Sequence, residues 1–257
     1  MSRAARAVIN LDALRHNLQR ARNANPQAKQ FPVIKADAYG HGLLAVANAL
    51  NDADGFAVAS IEEALRLREA GISQPILLLE GFFHDDELKQ IQQYQLDIVV
   101  HHAAQVDALE ALAAQQDISK PIGVWLKVDT GMHRLGFAVD EVAAVWQRLT
   151  QCKLVSQVPH LMTHLACADD FQHPATQQQL ELFRTVLANQ PAQRSIANSA
   201  GILGWLGSHA DFDRPGIMLY GVSPFVGETA AARQLRPVMT LRSELIAIKH
   251  CQQGDAV

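Results

Sequence analysis

A chain of 257 residues that is 49% hydrophobic and 19% charged can bury a sizeable core, which excludes a disordered segment. Lys and Arg number 22 against 26 Asp and Glu, giving a formal charge of −4 with no basic run, so neither nucleic acid nor an anionic membrane is indicated as a partner. Three separated cysteines (152, 167 and 251) cannot all pair, charges interrupt the first 17 residues, and no apolar stretch approaches the roughly 20 residues of a membrane span. A reduced, cytoplasmic protein is expected.

Short apolar runs alternate with helical patterns along the chain. Strands are expected at 31–36, 55–59, 75–79, 96–100, 122–128, 160–164, 194–198 and 216–220. Helices are expected at 43–50, 61–70, 87–94, 104–115, 141–150 and 176–189, with the connection after Asn198 undefined. One unit shows the logic. Ser60 and Glu63 have capping-box spacing, Glu62 and Arg66 lie four apart, and Gly71 suits a left-handed cap. The following PILLLEG is continuously apolar, as in a strand covered on both faces. Repeated strand–helix alternation implies a parallel sheet with right-handed crossovers, and eight repeats predict an α/β fold closed as a (β/α)8 TIM-type barrel. A doubly wound open sheet is the alternative. Residues 1–232 would form the barrel. The segment 233–257, rich in β-type residues and closing on the turn signal Gly254-Asp255, would begin a β-rich domain.

A barrel of this kind carries its chemistry at the C-terminal ends of its strands. Lys35 falls there, after Phe-Pro-Val-Ile. An amine at the edge of an apolar strand can lose its proton and attack a carbonyl, although a lysine that merely extends to solvent has the same position. Eleven histidines include no H-E-x-x-H, the cysteines no C-x-x-C, and no glycine-rich phosphate loop occurs, so metal and nucleotide cofactors are not expected.

Three segments add specificity: VIKADAYGHG (33–42), LKVDTGMHRLGF (126–137) and FDRPGIMLYG (212–221). In this order they resemble the signatures of bacterial alanine racemases, and the likeness runs over essentially the whole chain. The resemblance implies interconversion of L- and D-alanine with pyridoxal 5′-phosphate, supplying D-alanine for peptidoglycan, in a homodimer. It implies that Lys35 holds the cofactor covalently and serves as one base, that Tyr39 and Ser199 with the backbone of Gly216 and Ile217 bind phosphate, and that Arg214 faces the pyridine nitrogen. His164 would support Arg214, Arg134 would bind the substrate carboxylate or the cofactor's phenolic oxygen, and Lys127 would be carbamylated. The family's second base is a tyrosine of its C-terminal β domain. None of Tyr39, Tyr94 and Tyr220 matches it. The matching position would come just after Val257, so a fragment with little or no activity is expected. The alternatives are a single-domain pyridoxal-phosphate barrel that buffers cofactor and a racemase of broader substrate range.

Overall fold

The computed structural model describes residues 4–115, 120–156, 158–186, 188 and 190–256. Eight parallel strands make up one sheet: β2 (Lys29–Gln30), β3 (Phe56–Val58), β4 (Ile76–Leu78), β5 (Asp97–Val100), β6 (Val124–Lys127), β7 (His160–Met162), β8 (Arg194–Ser195) and β9 (Phe212–Asp213). Each pairs with its neighbour, and β9 pairs with β2. A parallel bridge between Val33 and Ala57, with Ile34 N–H donating to the Ala57 carbonyl at 2.9 Å, joins the chain after β2 to β3. The sheet is therefore a closed barrel, as the repeat count predicts, and the open sheet is excluded.

Helices cover it at Leu43–Ala49, Ile61–Glu69, Glu87–Gln93, Ala103–Gln115, Val142–Gln151 and Ala175–Thr185. These are the six expected. The last was expected to reach 189 but ends at Thr185, where Val186 turns to extended backbone; residues 187 and 189 lie outside those described. Two more were not anticipated: the short Ser199–Gly204, in the connection left undefined after Asn198, and Leu11–Ala24, whose signals are plain in retrospect. Asn10 accepts from the amides of Asp12 and Ala13, and Leu14, Leu18 and Ala21 fall on one buried stripe.

Alternation along the strands divides the core in two. Phe56, Val58, Ile76, Leu78, Ile98, Val100, Val124 and Leu126 pack outward against the helices. Phe31, Val33, Ala57, Leu77, Val99, Trp125, Met162 and Phe212 fill the barrel interior. Trp125 meets Phe212 edge-on with centroids 4.8 Å apart, and His160 lies against Trp125 at 4.6 Å. This layer seals the barrel below its C-terminal mouth.

Several expectations need correction. The run 216–220 is not a strand: β9 lies upstream at Phe212–Asp213, and Ile217–Tyr220 is a turn of 3-10 helix. Its apolar residues are buried because Met218 and Leu219 face the core and the Tyr220 hydroxyl donates to the Val33 carbonyl at 3.1 Å. The strand expected at 31–36 lies earlier: β2 is Lys29–Gln30, ladder bonds continue from Phe31 and Val33 to the carbonyls of Asp213 and Pro215 and from Ile34 to Ala57, and the chain turns at Lys35. Glu63 does not complete a capping box on Ser60. It accepts from the amides of Ala59 and Asp37 instead. Arg66 lies 3.7 Å from Asp37 rather than pairing with Glu62. Gly71 is left-handed at φ +83°, as expected. In the tail, β10 (Met239–Arg242) forms an antiparallel ribbon with β1 (Arg6–Ile9), and no regular element follows it among the described residues.

The opposite pole of the barrel is tied by one side chain. Arg68 donates to the carbonyls of Ile72, Gln74, Tyr94 and Gln95 at 2.7–3.2 Å, joining the loops that lead into β4 and β5. Replacing it with Met strands four acceptors in a half-buried setting. Arg68→Met is expected to lose about 2 kcal/mol of stability, read as a lower denaturation midpoint in urea.

Candidate active site

Two residues above the interior apolar layer, the next inward positions carry basic side chains. Trp125 is followed by Lys127, Phe212 by Arg214, Met162 by His164 and Val33 by Lys35. A cavity of about 710 Å³ opens at this level, a size suited to a small cofactor. Its wall includes Lys35, Tyr39, Lys127, Arg134, His164, Ser199, Arg214, Gly216 and Ile217, so all nine residues singled out in the sequence come together. Glu80, Asp169 and Asn198 also line it and were missed. Glu80 could have been found: it directly follows the apolar run of β4, at the same strand end.

Lys35 begins an unusual turn. Ala36, Asp37, Ala38 and Tyr39 have φ of +51° to +55°, four successive non-glycine residues in the left-handed helical region. Each such residue costs about 1–2 kcal/mol. The turn is closed by Ala38 N–H to Ile34 O at 2.9 Å and Gly42 N–H to Asp37 O at 2.9 Å, and the Asp37 carboxylate accepts from Leu43 N–H at 3.0 Å. Ala38 is fully buried, while the Tyr39 ring stacks on Tyr220 with centroids 4.7 Å apart. Burial of the phenol holds Tyr39 above its usual range and therefore neutral.

Arg214 is 4% exposed and heavily engaged. It donates to Ser195 Oγ, to the Thr163 carbonyl at 2.7 Å and to the Ile196 carbonyl at 3.2 Å, and Nη2 lies 3.4 Å from His164 Nδ1. Burial lowers its pKa to about 10, so it remains a cation at neutral pH. Burial, and then Arg214, Lys127, Arg134 and Lys35, hold His164 well below the ordinary histidine value. A neutral imidazole can accept from Arg214, which fits the contact. Lys127, 7% exposed, has its pKa lowered to about 8 by burial and then by Arg214, Arg134 and Lys35, against an opposing effect of Glu80.

Arg134 is presented by a loop that the motif DTGMHRLGF builds. Asp129 Oδ1 accepts from the amides of Gly131, Met132 and His133 at 2.9–3.1 Å. Gly136 has φ +126°, and a Cβ there would stand 2.7 Å from the Asp129 amide nitrogen, so only glycine lets the loop return to the strand end. Behind the loop, Gln179 Nε2 donates to Thr130 Oγ1 and to the His164 carbonyl, and Thr130 shares a hydrogen bond of 2.8 Å with Thr163.

Ser199, buried after β8, accepts from the amides of Gly216 at 2.9 Å and Met218 at 3.3 Å. Here one expectation shifts, because the Gly216 amide faces Ser199 Oγ. A Cβ on Gly216 would stand 3.0 Å from the Tyr39 hydroxyl. Tyr39, Ser199 and the Gly216 backbone thus form one tight cradle of donors in which a side chain would be in the way. Cradle, amine and buried guanidinium lie in one cavity, and this donor set suits a phosphorylated aldehyde.

Among the described residues no helix is long and apolar enough to cross a membrane. Residues 9–224 match the family described as "Alanine racemase, N-terminal domain". The chain is 51% identical to the biosynthetic alanine racemase of Escherichia coli over 99% of its length and 70% of that protein's. It is 49% identical to the alanine racemase of Shewanella loihica, covering 98% and 69%. In three dimensions it superposes on biosynthetic alanine racemase from Pseudomonas aeruginosa with TM-score 0.87 and 47% identity, covering 93% of this chain and 66% of that one. For the enzyme from Acinetobacter baumannii the TM-score is 0.90 at 38% identity, with 96% and 72% covered. With a family model matched over residues 9–224 and relatives about half identical over nearly its whole length, the chain belongs to the alanine racemase family, in its N-terminal domain.

Proposed function

We propose that this chain binds pyridoxal 5′-phosphate at the barrel mouth and carries the proton chemistry of one face in the interconversion of L- and D-alanine. The observation that supports this best is the convergence of Lys35, Tyr39, Ser199 and Arg214 on one cavity. Lys35 Nζ is the point of covalent attachment. Tyr39, Ser199 and the backbone of Gly216 and Ile217 hold the phosphate, with the Gly216 amide turning from Ser199 or sharing its proton. Arg214 faces the ring nitrogen, and His164 keeps it there. When bound, the cofactor acidifies the α-hydrogen of an amino acid by delocalising charge into its ring. Arg214 keeps its proton and can only donate, so a ring nitrogen held against it would be left unprotonated.

Arg134 binds the substrate carboxylate or the phenolic oxygen through its fork of donors. Lys127 supplies the charge that orients it. Its neutral amine, roughly a tenth of the population at pH 7 for a pKa near 8, attacks carbon dioxide. An N–C bond forms, a proton leaves to solvent, and an anion replaces a cation among Arg134, Arg214 and Lys35.

Lys35 Nζ takes the α-proton from one face and returns it. No tyrosine of the chain is set as a second base. Tyr220 donates to Val33 O, Tyr94 caps an outer helix, and Tyr39 belongs to the cradle. The opposite face is therefore served by a group these residues do not supply, in keeping with a homodimer in which a partner completes the site. Residues 1–232 are taken as the cofactor barrel and 233–257 as the start of a β-rich domain. The setting is a reducing cytoplasm, and the product D-alanine serves peptidoglycan.

Treating the purified chain with pyridoxal 5′-phosphate and then borohydride is expected to fix the cofactor on the peptide containing Lys35, found by mass spectrometry, with Lys35→Ala unlabelled. Labelling spread over surface lysines would refute the assignment. In deuterium oxide, the loaded chain is expected to exchange the α-hydrogen of one alanine enantiomer at least tenfold faster than it interconverts the two. Equal rates by NMR and chiral chromatography would place both bases within this chain.

Lys127 gives a pH test. Its folded pKa, about 8, lies below the ordinary 10.5, so between these values the unfolded chain holds a proton that the folded chain has released. Stability from this group therefore rises with pH across that window, by about 3 kcal/mol in total, and the cost is fully present below it. Thermal melts in carbon dioxide-free buffer are expected to show a rise from pH 8 to 10 that Lys127→Met lacks. Bicarbonate at pH 7.5 is expected to raise the melting temperature of the native chain only.

A further inference from the structure

The turn that carries Lys35 and Tyr39 is strained, and its own hydrogen bonds involve few partners outside it. From the helix Ile61–Glu69, Arg66 lies 3.7 Å from the Asp37 carboxylate, and Glu63 grips the backbone of the turn. Glu63, in the first turn of the helix Ile61–Glu69, accepts from Asp37 N–H through Oε1 at 3.3 Å and from Ala59 N–H through Oε2 at 3.0 Å. Ala59 directly follows β3, the strand that the Val33 bridge joins to the chain before the turn. The carboxylate therefore ties the middle of the left-handed turn to the rim of the barrel. Asp37 lies two residues after Lys35 and two before Tyr39, so the gripped amide is midway between the two side chains that line the cavity. A capping role alone would place this carboxylate on the Ser60 amide, where it is not found.

We propose that Glu63 is a positioning residue for cofactor attachment: by holding the amides of Asp37 and Ala59 together, it fixes the left-handed turn that aims Lys35 and Tyr39 into the cavity. The inference rests on the reading that Lys35 carries pyridoxal phosphate. Without the carboxylate, the turn relaxes toward ordinary backbone conformations, and Lys35 Nζ and the Tyr39 hydroxyl lose their common aim. An amide in place of the carboxylate keeps one acceptor oxygen for two N–H groups, so it restores part of the grip. Glycine adopts left-handed conformations without penalty, so Ala36→Gly, at an exposed position, relieves part of what Glu63 restrains.

The test measures borohydride trapping of pyridoxal 5′-phosphate on the Lys35 peptide against cofactor concentration, together with amide hydrogen exchange of the unloaded protein. Glu63→Ala is expected to raise the half-saturating concentration roughly tenfold, the scale of one or two lost charge-assisted hydrogen bonds, and Glu63→Gln by less. Amides 36–40 should exchange faster in both variants while those of β5 and β6 keep native protection. Adding Ala36→Gly to Glu63→Ala should recover part of the trapping. Unchanged trapping in Glu63→Ala would overturn the role of Glu63 alone. Faster exchange throughout the barrel, with no recovery by Ala36→Gly, would reduce Glu63 to general stability and also overturn it. Absence of Lys35 labelling in the native chain would remove the cofactor reading itself, and this inference with it.

Discussion

Four cations, Lys35, Lys127, Arg134 and Arg214, line one cavity with Glu80 and Asp169 as the carboxylates among its described wall residues. That concentration of like charge is the constraint on which the rest of the architecture turns. Added to burial, which is the larger cause, it lowers Lys127 toward neutrality and keeps His164 uncharged, and it favours an anionic guest. A buried cation without a partner is costly, so the fold surrounds Arg214 with carbonyl oxygens and a hydroxyl. A molecule carrying a phosphate and a phenolic oxygen would offset the repulsion, and a carboxyl group added to Lys127 would reverse its sign. The site is thus poised to gain more from binding than its own packing provides.

The apolar layer beneath gives this charge its effect. Phe31, Trp125, Met162 and Phe212 close the barrel below the cavity floor, keeping water from the inner side of the cations. Charges above such a layer act at a lower effective dielectric than at an open surface. Strand alternation produces this vertical order without further devices. An aromatic at one inward position sets the level of the floor, and the residue two further along, Lys127 or Arg214, falls at the mouth.

Much of this was legible in the sequence, for identifiable reasons. Strand–helix alternation showed the barrel because each buried strand is a short apolar run with a helix after it. Position after an apolar run pointed to Lys35 alone; Arg134 and Arg214 were reached through the resemblance of their segments to alanine racemases. What stayed hidden had competing local signals. The run IMLY has strand-like residues but is wound into a 3-10 turn by burial and by the Tyr220–Val33 hydrogen bond, a distinction that periodicity over so few residues cannot make. Nothing in Ala-Asp-Ala-Tyr signals a left-handed turn, which here is accompanied by a local bond from Leu43 N–H to the Asp37 carboxylate and a tertiary one from Asp37 N–H to Glu63. Glu63 itself read as a helix cap, because one of the two amides it accepts from, that of Asp37, lies 26 residues away.

The most direct measurement is a crystal structure of the chain grown with pyridoxal 5′-phosphate. The account predicts density continuous from Lys35 Nζ into the cofactor ring, the phosphate held between the Tyr39 hydroxyl and the Ser199–Gly216 segment, and the ring nitrogen within hydrogen-bond distance of Arg214. A ring bound elsewhere, or a Lys35 amine standing free of it while Arg214 keeps only its protein partners, would contradict it.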